Sequence, residues 1–205
     1  EHSDSISNLT RQVLNETNLN LNDIDGFAAT TGPGLLGGLL VGCNYAKGLS
    51  IITNKPFLSI NHLQGHVLIS RMNKKINFPF LCLLVSGGHS LILLAENYNK
   101  FKILGESIDD AVGEAFDKTS KLLGLSYPGG PLIEKLAKKA QRREKFNLPR
   151  PLINDKTMNL SFSGLKTSVR RIIEKNLSQS EKADLADEFQ KSITECLLKK
   201  VNLAI

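Results

Sequence analysis

Two histidines, His62 and His66, stand four positions apart in "LSINHLQGHVLIS", residues 58–70. On a helix over 61–72 they share one face, where two imidazoles can chelate a single transition metal. The same spacing also suits two solvated histidines on a helix surface. A zinc peptidase of the H-E-x-x-H kind needs a carboxylate beside the first histidine as general base. Here the intervening residues are Leu63, Gln64 and Gly65, so that base is missing.

Three other stretches carry groups suited to a phosphate or a nucleoside. "LLVSGGHS" places Gly87 and Gly88 at a turn whose backbone N–H groups could cradle an anion, or simply close a hairpin. It matches neither common nucleotide fingerprint, having no G-K-[ST] ending and no G-x-G-x-x-G. "ESIDDAVGEAFDK" gathers Glu106, Asp109, Asp110, Glu114 and Asp117 around the start of a helix. Asp109 and Asp110 suit the dipole of that helix N-terminus. Asp117 lies two turns further in, where a carboxylate can accept from ribose hydroxyls or act through a metal. "YPGGP" adds a second glycine pair that lets a ligand approach the main chain.

The elements that must position these groups follow from periodicity. Ile6, Leu9, Val13 and Leu14 predict a helix over 3–18, "FAATT" a strand, and "GPGLLGG" the lead into a glycine- and alanine-rich helix reaching Ile52. "KPFLSI" is a second strand, leading into the His62 segment. "FPFLCLLVSGGHSLILLAE" reads as two strands joined at the glycine turn, with "FKILGES" as a third. Helical period returns from Ile108, where Ala111, Val112, Ala115, Phe116, Leu122 and Leu123 share a face. A helix over 132–143, a loop-like stretch over 144–161, a helix capped by Ser163 and a long helix opened by Ser180 complete the chain. Strands and helices in this order predict α/β units.

The bulk composition, 41% hydrophobic and 22% charged, is that of an ordinary globular chain. No apolar run is long enough to span a bilayer, and "EHSDSISN" has no signal-peptide pattern. Cys43, Cys82 and Cys196 form no C-x-x-C pair and are expected as reduced, buried thiols of a cytosolic protein. Residues 133–175 hold twelve Lys/Arg against four acids, a local charge of +8 within a net charge of +6. Such a run is either a solvated face or a surface for a polyanion.

Jointly, "TTGPGLLGGLLVG", "INHLQGH", "LLVSGGHS", "GESIDDAVGEAFDKTSKLLGLSYPGGP" and "LSFSGLKTS" resemble, in order and spacing, the TsaD family of bacterial tRNA adenosine threonylcarbamoyltransferases, once known as O-sialoglycoprotein endopeptidases. The resemblance implies an α/β fold of the actin-like ATPase type shared with sugar kinases and heat-shock proteins, with two ribonuclease-H-like lobes. Residues 1–58 would belong to the first lobe, and 59–205 to the first part of the second. It further implies transfer of a threonylcarbamoyl group from threonylcarbamoyl-adenylate to N6 of the adenosine 3′ of the anticodon, in tRNAs reading ANN codons.

Carried over by position, His62 and His66 match metal ligands, with iron or zinc as the divalent ion. Leu84, Val85, Ser86, Gly87 and Gly88 match a substrate-binding loop, Asp117 the acid on the nucleoside, and Gly130 the glycine of a second loop. Glu134 falls where some members place an Asp near the ribose. An adenylate or ATP-type nucleotide would lie in the cleft. The implied partners are tRNA and TsaB-like and TsaE-like proteins, with no membrane and a cytoplasmic location. The family's opening "GIETSCDET"-like turn and closing "C-T-D-N"-like segment have no counterpart here. The chain is therefore expected to be an internal piece, inactive alone, with two of three metal ligands. The rival readings are a metal-dependent endopeptidase, a sugar-kinase-like phosphotransferase and a non-catalytic partner-binding fragment.

Overall fold

In the computed structural model of the chain, residues 2–142 and 144–205 are described. They form a mixed α/β structure with one parallel and one antiparallel sheet. Two compact units divide after Lys75. The first contains α1 (His2–Thr17), a 3-10 turn at Leu21–Asp23, β1 (Phe27–Gly32), α2 (Leu36–Thr53), β2 (Phe57–Asn61) and α3 (His62–Leu68). β1 and β2 run parallel from Phe27↔Phe57 to Thr30↔Ile60, and α2 is the crossover that parallel pairing requires. α2 ends at Asn54, whose φ of 52° is the left-handed conformation asparagine tolerates at a helix end.

α3 is shorter than the helix expected over 61–72, because the chain tightens into a 3-10 turn at Ile69–Arg71. Its start is set by Asn61, whose Oδ1 accepts from the N–H groups of Leu63 at 2.9 Å and Gln64 at 3.2 Å. α3 contacts both β1 and β2. This is why 59–75 falls with the first compact unit, whereas the lobe boundary expected from the sequence falls after residue 58.

The second unit opens with β3 (Phe80–Val85), β4 (Ser90–Ala95) and β5 (Phe101–Glu106), an antiparallel sheet in the order β3-β4-β5. The β4 burial pattern is almost continuous, and Ile92 and Ala95 are wholly buried. α4 (Val112–Leu122), α5 (Gly129–Ala137), α6 (Ser163–Ile173) and α7 (Gln179–Ala204) follow. Their apolar faces meet in a core that includes Ala115, Ile133, Phe162, Leu165, Leu185 and Phe189, all at 0% exposure. Phe116 and Phe189 meet edge to face across α4 and α7, with centroids 5.1 Å apart.

Several local readings change. α4 starts at Val112 rather than Ile108, because Ser107 bridges Leu160 and its hydroxyl donates to the Asp110 carbonyl at 2.6 Å. α5 covers Gly129–Ala137 rather than 132–143, and Arg143 lies outside the described residues. Ser163 is the first helical residue of α6 and not its cap. α7 is capped by Ser178, two residues before the expected Ser180, in a reciprocal pair with Glu181. Of the three thiols only Cys196 is fully buried, and Cys43 and Cys82 are half-buried.

The loop-like stretch before α6 is ordered by polar side chains of α7. Asp184 Oδ1 accepts from the N–H groups of Gln141 at 2.8 Å and Arg142 at 2.9 Å. Glu188 accepts from the Leu148 N–H at 2.9 Å and pairs with Arg150. Lys200, 1% exposed, donates to the carbonyls of Asp155 and Thr157, both at 2.7 Å. Each bond satisfies backbone that an irregular segment cannot pair with itself. Hydrogen bonds to charged partners contribute about 1.5–3 kcal/mol apiece.

Candidate functional site

Residues 76–205 enclose an open cleft of about 540 Å³. Its first wall is the β3–β4 turn, where Val85, Ser86 and Gly87 line the space. The turn is a true hairpin closure: the Ser86 N–H donates to the His89 carbonyl at 2.8 Å. Ser86 Oγ accepts from the N–H groups of Gly88 at 3.3 Å and His89 at 3.0 Å. Of the glycine pair, therefore, Gly87 keeps its N–H without a partner among the described residues, while Gly88 donates inward.

α4 supplies the floor through Val112, Gly113, Phe116 and Asp117. A Cβ on Gly113 would lie 2.8 Å from both Gly87 Cα and the Ser86 carbonyl oxygen, so only glycine lets α4 start against the turn. Asp117 Oδ1 accepts from the Gly129 N–H at 2.7 Å, fixing the first residue of α5. The other carboxylate oxygen makes no hydrogen bond among the described residues. Gly129 is itself enforced, since a Cβ there would sit 2.6 Å from the Phe116 carbonyl oxygen.

The third wall is Tyr127, Gly130 and Glu134. Gly130 belongs to the first turn of α5, where backbone N–H groups lack intrahelical partners and favour an anion. Glu134 is half-exposed and pairs with Lys138 at 2.7 Å, one helical turn on. Leu84, placed with the glycine loop by sequence, is 7% exposed and does not line the cleft, because alternate residues of β3 face opposite ways. The structure thus brings together Val85, Ser86, Gly87, Asp117, Gly130 and Glu134.

α7 forms a fourth wall that the sequence reading missed: Gln190, Ile193, Thr194 and Leu197. Their i, i+3, i+4, i+7 spacing marks one helix face, and the two polar members on that face are the signal that could have found it.

Asp109 has a different task from the one expected. Instead of complementing α4, its carboxylate accepts from Ser161 Oγ at 2.6 Å, the Phe162 N–H at 2.7 Å, the Ser163 N–H at 3.3 Å and Ser163 Oγ at 2.7 Å. It is the cap of α6. Partial burial pushes its pKa up, but these hydrogen bonds outweigh that and hold it below the ordinary carboxylate range.

His62 and His66 belong to the first compact unit, where they share a hollow of about 270 Å³ with Thr30, Ile60, Asn61, Gly65 and Ile69. Both are exposed, and their Nε2 atoms converge to 3.1 Å. Two nitrogens on one zinc-like ion stand about 2.9 Å apart at a right angle and about 3.3 Å apart at a tetrahedral angle. The spacing is that of two neighbouring ligand positions and equally that of a hydrogen bond between the two imidazoles. Among the described residues no group of three or more His, Cys, Asp and Glu side chains is placed to hold a metal. Nor is any described helix long and apolar enough to cross a membrane.

The family model for TsaD, tRNA N6-adenosine threonylcarbamoyltransferase, matches residues 1–205. Similar proteins described as tRNA N6-adenosine threonylcarbamoyltransferase include one from Wolbachia sp. subsp. Brugia malayi, 47% identical over 205 residues, covering 100% of this chain and 61% of the relative. Another, from Bartonella tribocorum, is 48% identical over 206 residues, covering 100% and 56%. A third, from Rhodospirillum rubrum, is 47% identical over 207 residues, covering 99% and 57%. The chain spans about three-fifths of the length of these relatives. The chain belongs to the TsaD family of tRNA N6-adenosine threonylcarbamoyltransferases.

Proposed function

We propose that this protein transfers a threonylcarbamoyl group from threonylcarbamoyl-adenylate to N6 of the adenosine 3′ of the anticodon, in tRNAs reading ANN codons. The observation that carries this reading is the convergence of Val85, Ser86, Gly87, Asp117, Gly130 and Glu134 on one cleft of nucleotide size. The same reading takes the two compact units as parts of an actin-like ATPase fold with ribonuclease-H-like lobes, working in the cytoplasm with TsaB-like and TsaE-like partners.

In the reaction the adenosine amine attacks the carbamoyl carbonyl carbon. A C–N bond forms, the bond from that carbon to the phosphate oxygen breaks, AMP leaves, and the amine gives up a proton. The chain's own residues bind and orient the adenylate. The Gly87 N–H and the α5 N-terminus at Gly130 offer unpaired donors to anionic oxygens. The open oxygen of Asp117, with Glu134, suits ribose hydroxyls. Val112, Phe116 and Ile193 present apolar surface that excludes water from the ligand. His62 Nε2 and His66 Nε2 would hold a divalent ion, iron or zinc, which supplies a Lewis acid able to polarise a carbonyl or phosphoryl oxygen.

The test combines the protein, its TsaB-like and TsaE-like partners, a divalent metal, tRNA and threonylcarbamoyl-adenylate. Mass spectrometry of the digested tRNA should show threonylcarbamoyl-adenosine, and Gly113→Val, which drives a side chain into the glycine turn, should abolish it. Unmodified tRNA from the unaltered protein, beside an active relative as control, overturns the reading.

A further inference from the structure

We infer that the carboxamide of Gln190 recognises the adenine ring in the cleft, pairing with its N7 and its exocyclic amine. This rests on the nucleotide reading of the cleft given above. The polar side chains that line the walls are mostly committed. Asp117 is tied to Gly129 through one oxygen and keeps the other for a ribose hydroxyl, while Glu134 is tied to Lys138 and Ser86 Oγ to the turn it closes. The Thr194 hydroxyl donates to the Gln190 carbonyl at 2.9 Å. Tyr127 lies at the rim, 81% exposed.

Gln190 is the exception. Its side chain makes no hydrogen bond among the described residues, and its Oε1 is shut away from water without a donor. A buried amide oxygen left unmatched is a cost that a bound partner removes. The terminal torsion of a glutamine is broad, so the carboxamide can turn its oxygen and its NH2 together toward the cleft. Around it, Phe116, Ile193 and Leu197 give the apolar surface that a flat base needs.

An adenine edge presents the N7 acceptor beside the N6–H donor, and a carboxamide answers both at once. Hypoxanthine keeps N7 but carries an oxygen at position 6, which faces the amide oxygen with nothing to donate. Ribose hydroxyls are left to the carboxylates of Asp117 and Glu134. Gln190 is therefore assigned the choice of base, a role distinct from holding phosphate or ribose.

The experiment is calorimetric titration of the chain with ATP, ITP and 7-deaza-ATP. ATP should bind about tenfold or more tighter than either analogue. Gln190→Met, of similar volume, should level the three affinities while leaving the thermal midpoint in place. If that variant does not fold, the three ligands on the unaltered chain decide the matter alone. Equal affinity for ATP and ITP overturns the role of Gln190 and leaves the nucleotide site standing. Failure of all three to bind overturns the nucleotide reading, and the role of Gln190 with it.

Discussion

Asp117 Oδ1 accepts the Gly129 N–H at 2.7 Å, so one carboxylate joins the middle of α4 to the first residue of α5 and still turns an oxygen free. Two roles on one side chain can be separated. Asp117→Asn keeps an acceptor for Gly129 and should change stability by under about 1 kcal/mol. Asp117→Ala leaves that N–H unpaired and should cost about 1–3 kcal/mol. Both should weaken ATP binding in the cleft. Urea unfolding alongside nucleotide titration checks this, and an Asn variant as unstable as the Ala variant argues against the division.

The histidine pair yields a metal prediction. Equilibrium dialysis of the chain against zinc or iron(II) should show one bound ion, lost in His62→Ala and in His66→Ala alike. Retention of the ion by the double variant would place the metal elsewhere.

The front of the cleft is legible in the sequence and its back is not, for different physical reasons. Alternating or continuous apolar runs bounded by glycine announce β3, β4 and the turn between them, because the strand period is local. The i, i+4 histidines are likewise a local relation, and their Nε2 atoms do converge. Gln190 and Thr194 sit in a helix whose spacing serves a plain core face equally well. Asp109 stands beside the start of α4 yet caps α6, with its partner Phe162 lying 53 residues further on. No periodicity encodes a contact of that range. The same holds for Asp184, Glu188 and Lys200, which look like the polar face of a long helix. They are buried because a strap of irregular chain lies over them.

Asp109 gives a pH prediction with a definite sign. Its folded-state pKa is held below the ordinary carboxylate value, so the unfolded chain takes up a proton first on acidification. Its contribution is fully present above the unfolded pKa and is lost as pH falls through the folded pKa. Asp109→Ala, which removes the α6 cap, should cost about 0.5–2 kcal/mol near neutrality. That difference should shrink as pH is taken from neutrality into acid through the folded-state pKa, which lies below the ordinary carboxylate value. Denaturant unfolding at neutral and at acid pH reads it directly, and a gap that persists in acid points to lost packing instead.

The basic stretch divides into charges that hold the fold and charges that face water. Arg150 is mostly buried and pairs with Glu188, 3% exposed, and with Glu195 at 2.7 Å. Lys145 meets Glu181 at 2.5 Å and, chiefly through that bond, brings its carboxyl to about 2. Arg142, Arg170, Arg171 and Lys175 are exposed, with Arg170 only loosely beside Glu174 at 3.7 Å. Arg150→Ala strands a buried carboxylate and should destabilise by about 3–5 kcal/mol. Arg171→Ala should stay within about 0.5 kcal/mol. Reversing Arg142, Arg170 and Arg171 to Glu should leave the fold intact yet weaken tRNA binding. It should also flatten the dependence of log affinity on log salt by about 0.7–0.9 for each phosphate no longer neutralised. Filter binding across a salt series distinguishes the outcomes: an unchanged slope in the reversed protein makes the exposed arginines a solubilising face only.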